Sequence, residues 1–317
     1  RFFGEYTKEE YLSLEEDKLQ KIVCAYLAEY AVKYFGEEQL ESNSFTYRLK
    51  TILDNVMYLM KHIMEELSQS EFFVADCELK IGEDIPSYTI VLPDGHKIAV
   101  CGSVDRVDIM QRADITYLRI IDYKTGTKQF KLSDILYGIN LQMLLYLRSI
   151  EASGGDKYGE IVPAGILYMP ATVPYISSDS LKSIDKLPDE LNKKLKMNGL
   201  LLKDTEIIHG MDKTDAATYI PVKIKAGEPV SSTSLATLAE FGKIFKKVDM
   251  LIAEMGKNIY NGNIEAKPLK GGHDSCEYCP YDSVCAYRQS NPITCFSVDN
   301  KTVIEEITNE INGKEEE

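Results

Sequence analysis

The chain has 317 residues, 44% hydrophobic and 27% charged, which is enough apolar material for one large domain or two ordinary ones. Fifty acidic against 36 basic residues give a net charge of −14, which argues against a polybasic nucleic-acid binder but leaves room for a nuclease with a local basic path. No run of 18 apolar residues exists, so a transmembrane helix is excluded, and seven cysteines in so long a chain read as thiols of a cytoplasmic protein rather than a disulfide framework.

The opening residues, Arg1-Phe2-Phe3-Gly4-Glu5, form no signal peptide and do not start with Met, so a longer parent chain is expected. Residues 1–70 read as a helical leader. Tyr11, Leu12, Leu14, Leu19, Ile22, Val23, Tyr26, Leu27 and Ala31 recur at helical spacing, and Leu49, Ile52, Leu53, Val56, Met57 and Met60 form the stripe of a second helix over 46–67. The period then changes. Strands are predicted at 71–81 and 88–92, and a Pro93-Asp94-Gly95-His96 turn leads into another at 100–108. The nearly continuous apolar run 117–123 predicts a central buried strand.

Ser133 and Asp134 are expected to cap a helix running through Tyr137, Leu141, Leu144, Leu145 and Leu147. A strand follows at 164–169, then a polar, irregular stretch to about 220 holding one Lys-rich helix at 190–197, then a long helix at 234–260. Residues 296–317 read as an acidic, frayed tail. The order predicts one α/β domain over 71–295, with a central mixed sheet flanked by helices, and helical additions. Cys77 and Cys101, in apolar strand contexts, read as buried thiols.

Chemistry concentrates between 102 and 146. Gly-Ser-Val-Asp-Arg-Val-Asp at 102–108 is followed by Ile-Asp-Tyr-Lys at 121–124. Alternation along a strand puts Asp122 and Lys124 on one face and Tyr123 on the other, and a hairpin through 110–116 would bring Asp105 near Asp122. Two carboxylates at strand ends make a hard-oxygen site for Mg²⁺ or Mn²⁺, and a lysine beside them can orient a water or offset developing phosphate charge. Asp-Tyr-Lys alone would read as an ordinary sheet edge. Asp122, however, ends an apolar run where an unpaired charge is costly, and a later helix carries Gln142 and Tyr146 at i and i+4.

This ordered set, Gly-x-Val-Asp-Arg-Val-Asp, Ile-Asp-Tyr-Lys-Thr-Gly and Gln-x-x-x-Tyr, resembles the RecB-type branch of the PD-(D/E)XK nucleases. Within it, the cysteine pattern most resembles the nuclease domains of the B subunits of AddAB-type helicase–nucleases. The resemblance implies a restriction-endonuclease-like core and metal-dependent hydrolysis of DNA. It implies Asp105 and Asp122 as metal ligands, the Tyr123 carbonyl as a third, Lys124 as the catalytic lysine, and Gln142 and Tyr146 as supporting or DNA-contacting residues. Asp108 is expected to be structural. Glu78 reads first as a hydrogen-bonded strand residue and only second as a site carboxylate. The implied partners are broken duplex ends, trimmed on the 5′-ended strand, and a helicase–nuclease A subunit, with no membrane.

Cys276-x2-Cys279-x5-Cys285 reads as a metal or cluster site, and His273 is near enough to be considered as a fourth ligand to zinc. The resemblance implies instead a [4Fe–4S] cluster with a fourth cysteine upstream. Cys24 sits on the apolar side of a helix and reads as core, and Cys295 as a bystander. The family's Gly-x-x-x-His motif is not visible; His62 has Tyr58 where that glycine would stand and reads as a helix-face residue. Both missing motifs are expected before residue 1, which would leave this piece with weak metal binding, no cluster and little activity. Lys193, Lys194 and Lys196, with Lys243, Lys246 and Lys247, offer a DNA path or simply solvated helix faces. Two rival readings are a nuclease-fold module that binds without cutting and a stand-alone iron–sulfur exonuclease of the CRISPR-adaptation type.

Overall fold

The computed structural model describes residues 1–126, 128–173, 187–231, 233–285 and 292–315. Part of the expected irregular stretch (174–186) and the last two residues of the tail lie outside them.

The leader forms two short helices, α1 (Phe2–Glu5) and α2 (Lys8–Leu12), then α3 (Glu16–Phe35), α4 (Glu37–Leu40) and α5 (Asn43–Ser68). Thr7 caps α2, its hydroxyl accepting from the Glu10 N–H at 3.4 Å while Glu10 reaches back to the Thr7 N–H at 2.7 Å. The sheet strands follow: β1 (Phe73–Ile81), the small hairpin β2 (Tyr88–Val91) and β3 (Lys97–Val100), then β4 (Gly102–Arg112) and β5 (Ile115–Lys124). Leu118, Ile120 and Ile121 are fully buried, as the apolar run predicts for a central strand.

The helix expected from Ser133 to Leu147 is two pieces. A 3-10 turn at Leu132–Tyr137 stops at Gly138, whose φ of 68° no ordinary helix tolerates, and α6 starts only at Gln142 and ends at Ser153. After α7 (Gly155–Tyr158) comes β6 (Glu160–Pro170), then α8 (Leu187–Leu195), β7 (Asn198–Leu202), α9 (Thr205–Met211), the hairpin β8 (Lys223–Lys225) and β9 (Glu228–Val230), and β10 (Leu235–Ala236). The long helix α10 (Leu238–Tyr260) opens on a capping box between Thr237 and Glu240. β11 (Leu269–Gly271), α11 (Asp282–Cys285), β12 (Ile293–Cys295) and α12 (Asn300–Glu315) complete the described chain.

Six strands form one mixed sheet in the order β1-β4-β5-β6-β7-β10. β5 runs parallel to β6 and β7 parallel to β10, while the other neighbours are antiparallel. The expected mixed α/β sheet with flanking helices is what the chain forms. The frayed tail is overturned: α12 buries Val303, Ile307 and Ile311, spaced by four so that they share one face, and Glu310 pairs with the buried Lys247 of α10 at 2.5 Å.

Two thiols expected in the core are also corrected. Cys101 is exposed, its Sγ 3.4 Å from Ser87 Oγ, because it falls in the break between β3 and β4. Cys77 is half-buried and Cys24 is exposed.

Candidate active site

The β4–β5 hairpin runs in register from Arg112–Ile115 to Arg106–Ile121, and the next step places Asp105 across from Asp122. Asp105 Oδ2 accepts the Tyr123 N–H at 2.9 Å, which ties the two strand ends together. On the other flank β1 pairs Cys77 with Arg106 and Leu79 with Val104, so Glu78 falls opposite Asp105. β6 sets Tyr168 beside Asp122, and β7 sets Asn198 beside Tyr168. Glu78, Asp105, Asp122, Tyr168 and Asn198 thus form one rung across five strands.

The rung is electrostatically loaded. Burial pushes the Asp105 carboxyl above its ordinary range, the Tyr123 N–H opposes this, and the Asp122 and Glu78 charges push it further up. Asp122 is 6% exposed, and its Oδ2 has no hydrogen-bond partner among the described residues. Lys124 Nζ lies against that oxygen as an ion pair, but out of hydrogen-bond alignment. Burial, with the charges of Asp122 and Asp134, pushes the Tyr168 hydroxyl up to about 12. Glu78 holds a left-handed φ of 55°, rare for a strand residue, and accepts from Ser103 Oγ at 3.1 Å.

The structure therefore brings Asp105, Asp122 and Lys124 together. Tyr123 contributes its N–H, while its ring falls under the charge of Arg106 on the opposite face. Gln142 and Tyr146 meet each other at 3.5 Å, and Tyr146 packs on the first residue of β4: a Cβ on Gly102 would stand 2.5 Å from the Tyr146 hydroxyl. That close approach explains the glycine at the head of the motif. Neither Gln142 nor Tyr146 bonds either aspartate among the described residues.

The donor chemistry fits a hard divalent cation, since a buried carboxylate oxygen without a described hydrogen-bond partner stands beside a second carboxylate. Among the described residues no group of three or more His, Cys, Asp or Glu gathers to hold a metal, so the carboxylate donors here are two. For the same reason the cysteine segment does not fit a complete cluster site. Cys276 and Cys279 are half-buried and Cys285 is exposed, on turns closed by the Cys276 N–H to Asp274 Oδ1 (2.8 Å) and the Cys285 N–H to the Tyr281 carbonyl (2.8 Å). His273 lines a separate cavity with Lys131, Asp134 and Asn140.

Asp108 turns away from the rung. On the opposite face Arg106, Asp108, Arg119 and Glu66 are all fully buried. Arg106 grips Asp108 through Nε (2.6 Å) and Nη2 (2.7 Å), and Arg119 reaches Asp108 at 3.0 Å and Glu66 at 2.6 Å. His62 is buried against the Tyr219 ring, where burial lowers its pKa. Tyr168 and Asn198 are neighbours of the acids that sequence reasoning misses. The end of the 164–169 strand is the available signal for Tyr168, and none marks Asn198.

Residues 3–286 match the PD-(D/E)XK nuclease superfamily, and the chain belongs to it. It is similar to proteins named as the B subunit of the ATP-dependent helicase/deoxyribonuclease. That of Thermoanaerobacter sp. (strain X514) is 38% identical over 246 residues, 76% of this chain and 21% of that protein. Those of Alkaliphilus oremlandii and Alkaliphilus metalliredigens are 35% and 33% identical over 83% and 92% of this chain, and 24% and 26% of their own lengths. The chain thus spans about a quarter of the relatives it matches. Among the described residues no helix is long and apolar enough to cross a membrane.

Proposed function

We propose that this chain is the nuclease part of a cytoplasmic helicase–nuclease, belonging to its B subunit and hydrolysing DNA phosphodiesters with a Mg²⁺ or Mn²⁺ ion held by Asp105 and Asp122. The observation that carries the reading is Asp122 Oδ2: buried, without a hydrogen-bond partner among the described residues, beside Lys124 and across from Asp105. The cation would supply positive charge at the scissile phosphate and acidify the attacking water. Asp105 and Asp122 are the chain's ligands to it, with the Tyr123 carbonyl as a third. Lys124 donates from Nζ to the attacking water or to the phosphate oxygen on which charge develops. Tyr123 N–H holds Asp105 in place. Tyr146 supports the start of β4 through Gly102, and with Gln142 flanks the strand being cut.

The names of the relatives support a partner as well: an A subunit carrying helicase and nuclease activity, with broken duplex ends as the shared substrate. The Cys276, Cys279 and Cys285 thiols would hold a [4Fe–4S] cluster only with a fourth thiol, and no reaction step is assigned to it.

The test is Lys124→Ala, assayed on end-labelled single-stranded DNA with Mg²⁺. Cleavage is expected to fall by about 100-fold or more while DNA binding is retained. Cleavage equal to the parent chain would overturn the assignment.

A further inference from the structure

A cavity of about 850 Å³ opens beside the acidic rung, and its described lining contains Lys193, Lys196, Lys223 and Lys225 but no carboxylate. In a chain with 50 acidic and 36 basic residues, such a lining runs against the bulk charge. The four lysines come from separate segments, α8 with its following turn and the β8 strand, which only the fold brings together. Lys196 is committed to the wall, its Nζ bonding the Ala217 carbonyl at 2.6 Å and the Val222 carbonyl at 3.1 Å. Lys193, Lys223 and Lys225 are exposed.

The cavity is joined to the acids by construction. Asn198 lines it and is the last residue of the rung that contains Asp122, two strands away, which at ordinary strand spacing is roughly 10 Å. Asn198 also clasps the loop that leaves β5. Its Oδ1 accepts the Phe130 N–H at 2.7 Å, and its Nδ2 donates to the Lys128 carbonyl at 3.1 Å. That loop continues directly from Lys124 and supplies Phe130 to the cavity lining. Between acids and cavity stands Tyr168, with Lys124 and Lys128 over its ring at 5.6 and 5.1 Å, and its buried hydroxyl has no partner among the described residues. A basic path therefore leads from Lys124 over Tyr168 and Lys128 into the lysine cavity.

We propose that this cavity holds the backbone of a single DNA strand flanking the scissile phosphate, with Lys193, Lys223 and Lys225 on phosphates and Phe130 offering a face to a base. Single-strand grooves combine a tracking line of positive charge with an aromatic platform, and the cavity has both. The inference rests on the nuclease reading for the identity of the strand, but its own test requires no cleavage.

The measurement is equilibrium binding of a fluorescent single-stranded oligonucleotide to the 317-residue chain in EDTA, over a range of salt concentrations. The triple variant Lys193→Ala, Lys223→Ala, Lys225→Ala is compared with a control of equal charge change on the leader, Lys18→Ala, Lys21→Ala, Lys50→Ala. Three lost phosphate contacts should lower the slope of log affinity against log salt by about 2, and affinity about tenfold or more, while the control stays near the parent. Circular dichroism establishes that each variant is folded, and the single variants Lys223→Ala and Lys225→Ala, on an exposed hairpin, give graded losses if the triple variant is not. Unchanged affinity and slope would overturn the proposal, as would an equal loss in the control. If Lys124→Ala leaves cleavage intact but the cavity variant loses DNA, the nuclease assignment falls and the cavity stands; the reverse pattern leaves the nuclease and removes the cavity.

Discussion

Adjacent residues of the same two strands build two opposite kinds of charge cluster. Asp105 and Asp122 project to one face of β4 and β5, while Arg106, Asp108 and Arg119 project to the other, where Glu66 of α5 joins them. The second cluster is closed: two guanidiniums and two carboxylates, fully buried, with the acids bonded by the arginines. Burial alone would raise the Asp108 pKa, but Arg106 and Arg119 outweigh it and hold the carboxyl below its usual range. The first cluster is open: two acids and one lysine, with an oxygen that no described residue hydrogen-bonds and Asp105 pushed up. One face of the sheet commits its charges to internal pairing, and the other keeps them available for something that binds.

The contrast can be broken most severely from the closed side. Arg119→Met strands Glu66 and Asp108 without one of their two cations, and should destabilise the fold by about 3–5 kcal/mol in urea unfolding. A loss under about 1 kcal/mol would mean the network is not tied as the distances indicate. On the open face, Gly102→Ala forces a methyl against Tyr146 and should cost about 1–3 kcal/mol. The second change Tyr146→Leu should recover part of that loss; no recovery would place the strain elsewhere.

The smallest effect is in the sign of a pH slope. Asp105 has a folded pKa above its unfolded one, so between the two values the native state binds more protons and stability falls as pH rises through that window. Asp108 is the reverse: its contribution is present above the unfolded pKa and is lost as pH falls toward the depressed folded value. Asp105→Asn should therefore remove a downward slope in acid, and leave the chain at least as stable as the parent at neutral pH. Asp108→Asn should flatten the acid end of the profile and lower stability at pH 7. Parallel profiles for the two variants would show that the faces do not differ in this way.

The acid cluster is legible in sequence because its geometry is local. A short hairpin connects two strands, alternation fixes the faces, and Asp122 at the end of an apolar run announces a charge with a purpose. Tyr168 and Asn198 are not legible, since their places depend on the register of β6 against β5 and of β7 against β6, joined through long connections. β7 itself hides within a stretch that reads as irregular, because it is only five residues long and contains Gly199, which a strand pattern ordinarily avoids. The lysine path is half legible: Lys193 and Lys196 stand out on their helix, but nothing in the sequence ties Lys223 and Lys225 to them, and Lys247, a candidate for the same path, is buried against Glu310. In α12 the signal is present. Val303, Ile307 and Ile311 keep a four-residue spacing that the surrounding charges obscure.

The clasp made by Asn198 has a consequence for the order in which the molecule assembles. The β4–β5 hairpin can form as soon as residue 124 is made, since its contacts are near in sequence. The loop that follows is fastened by a residue 68 to 70 positions later. Closing so long a span is slow compared with hairpin formation. A nascent chain thus carries both aspartates well before the wall beside them is set. The end of the sheet where the acids lie is completed only when β7 docks, which makes that strand the late, committing step in building the site.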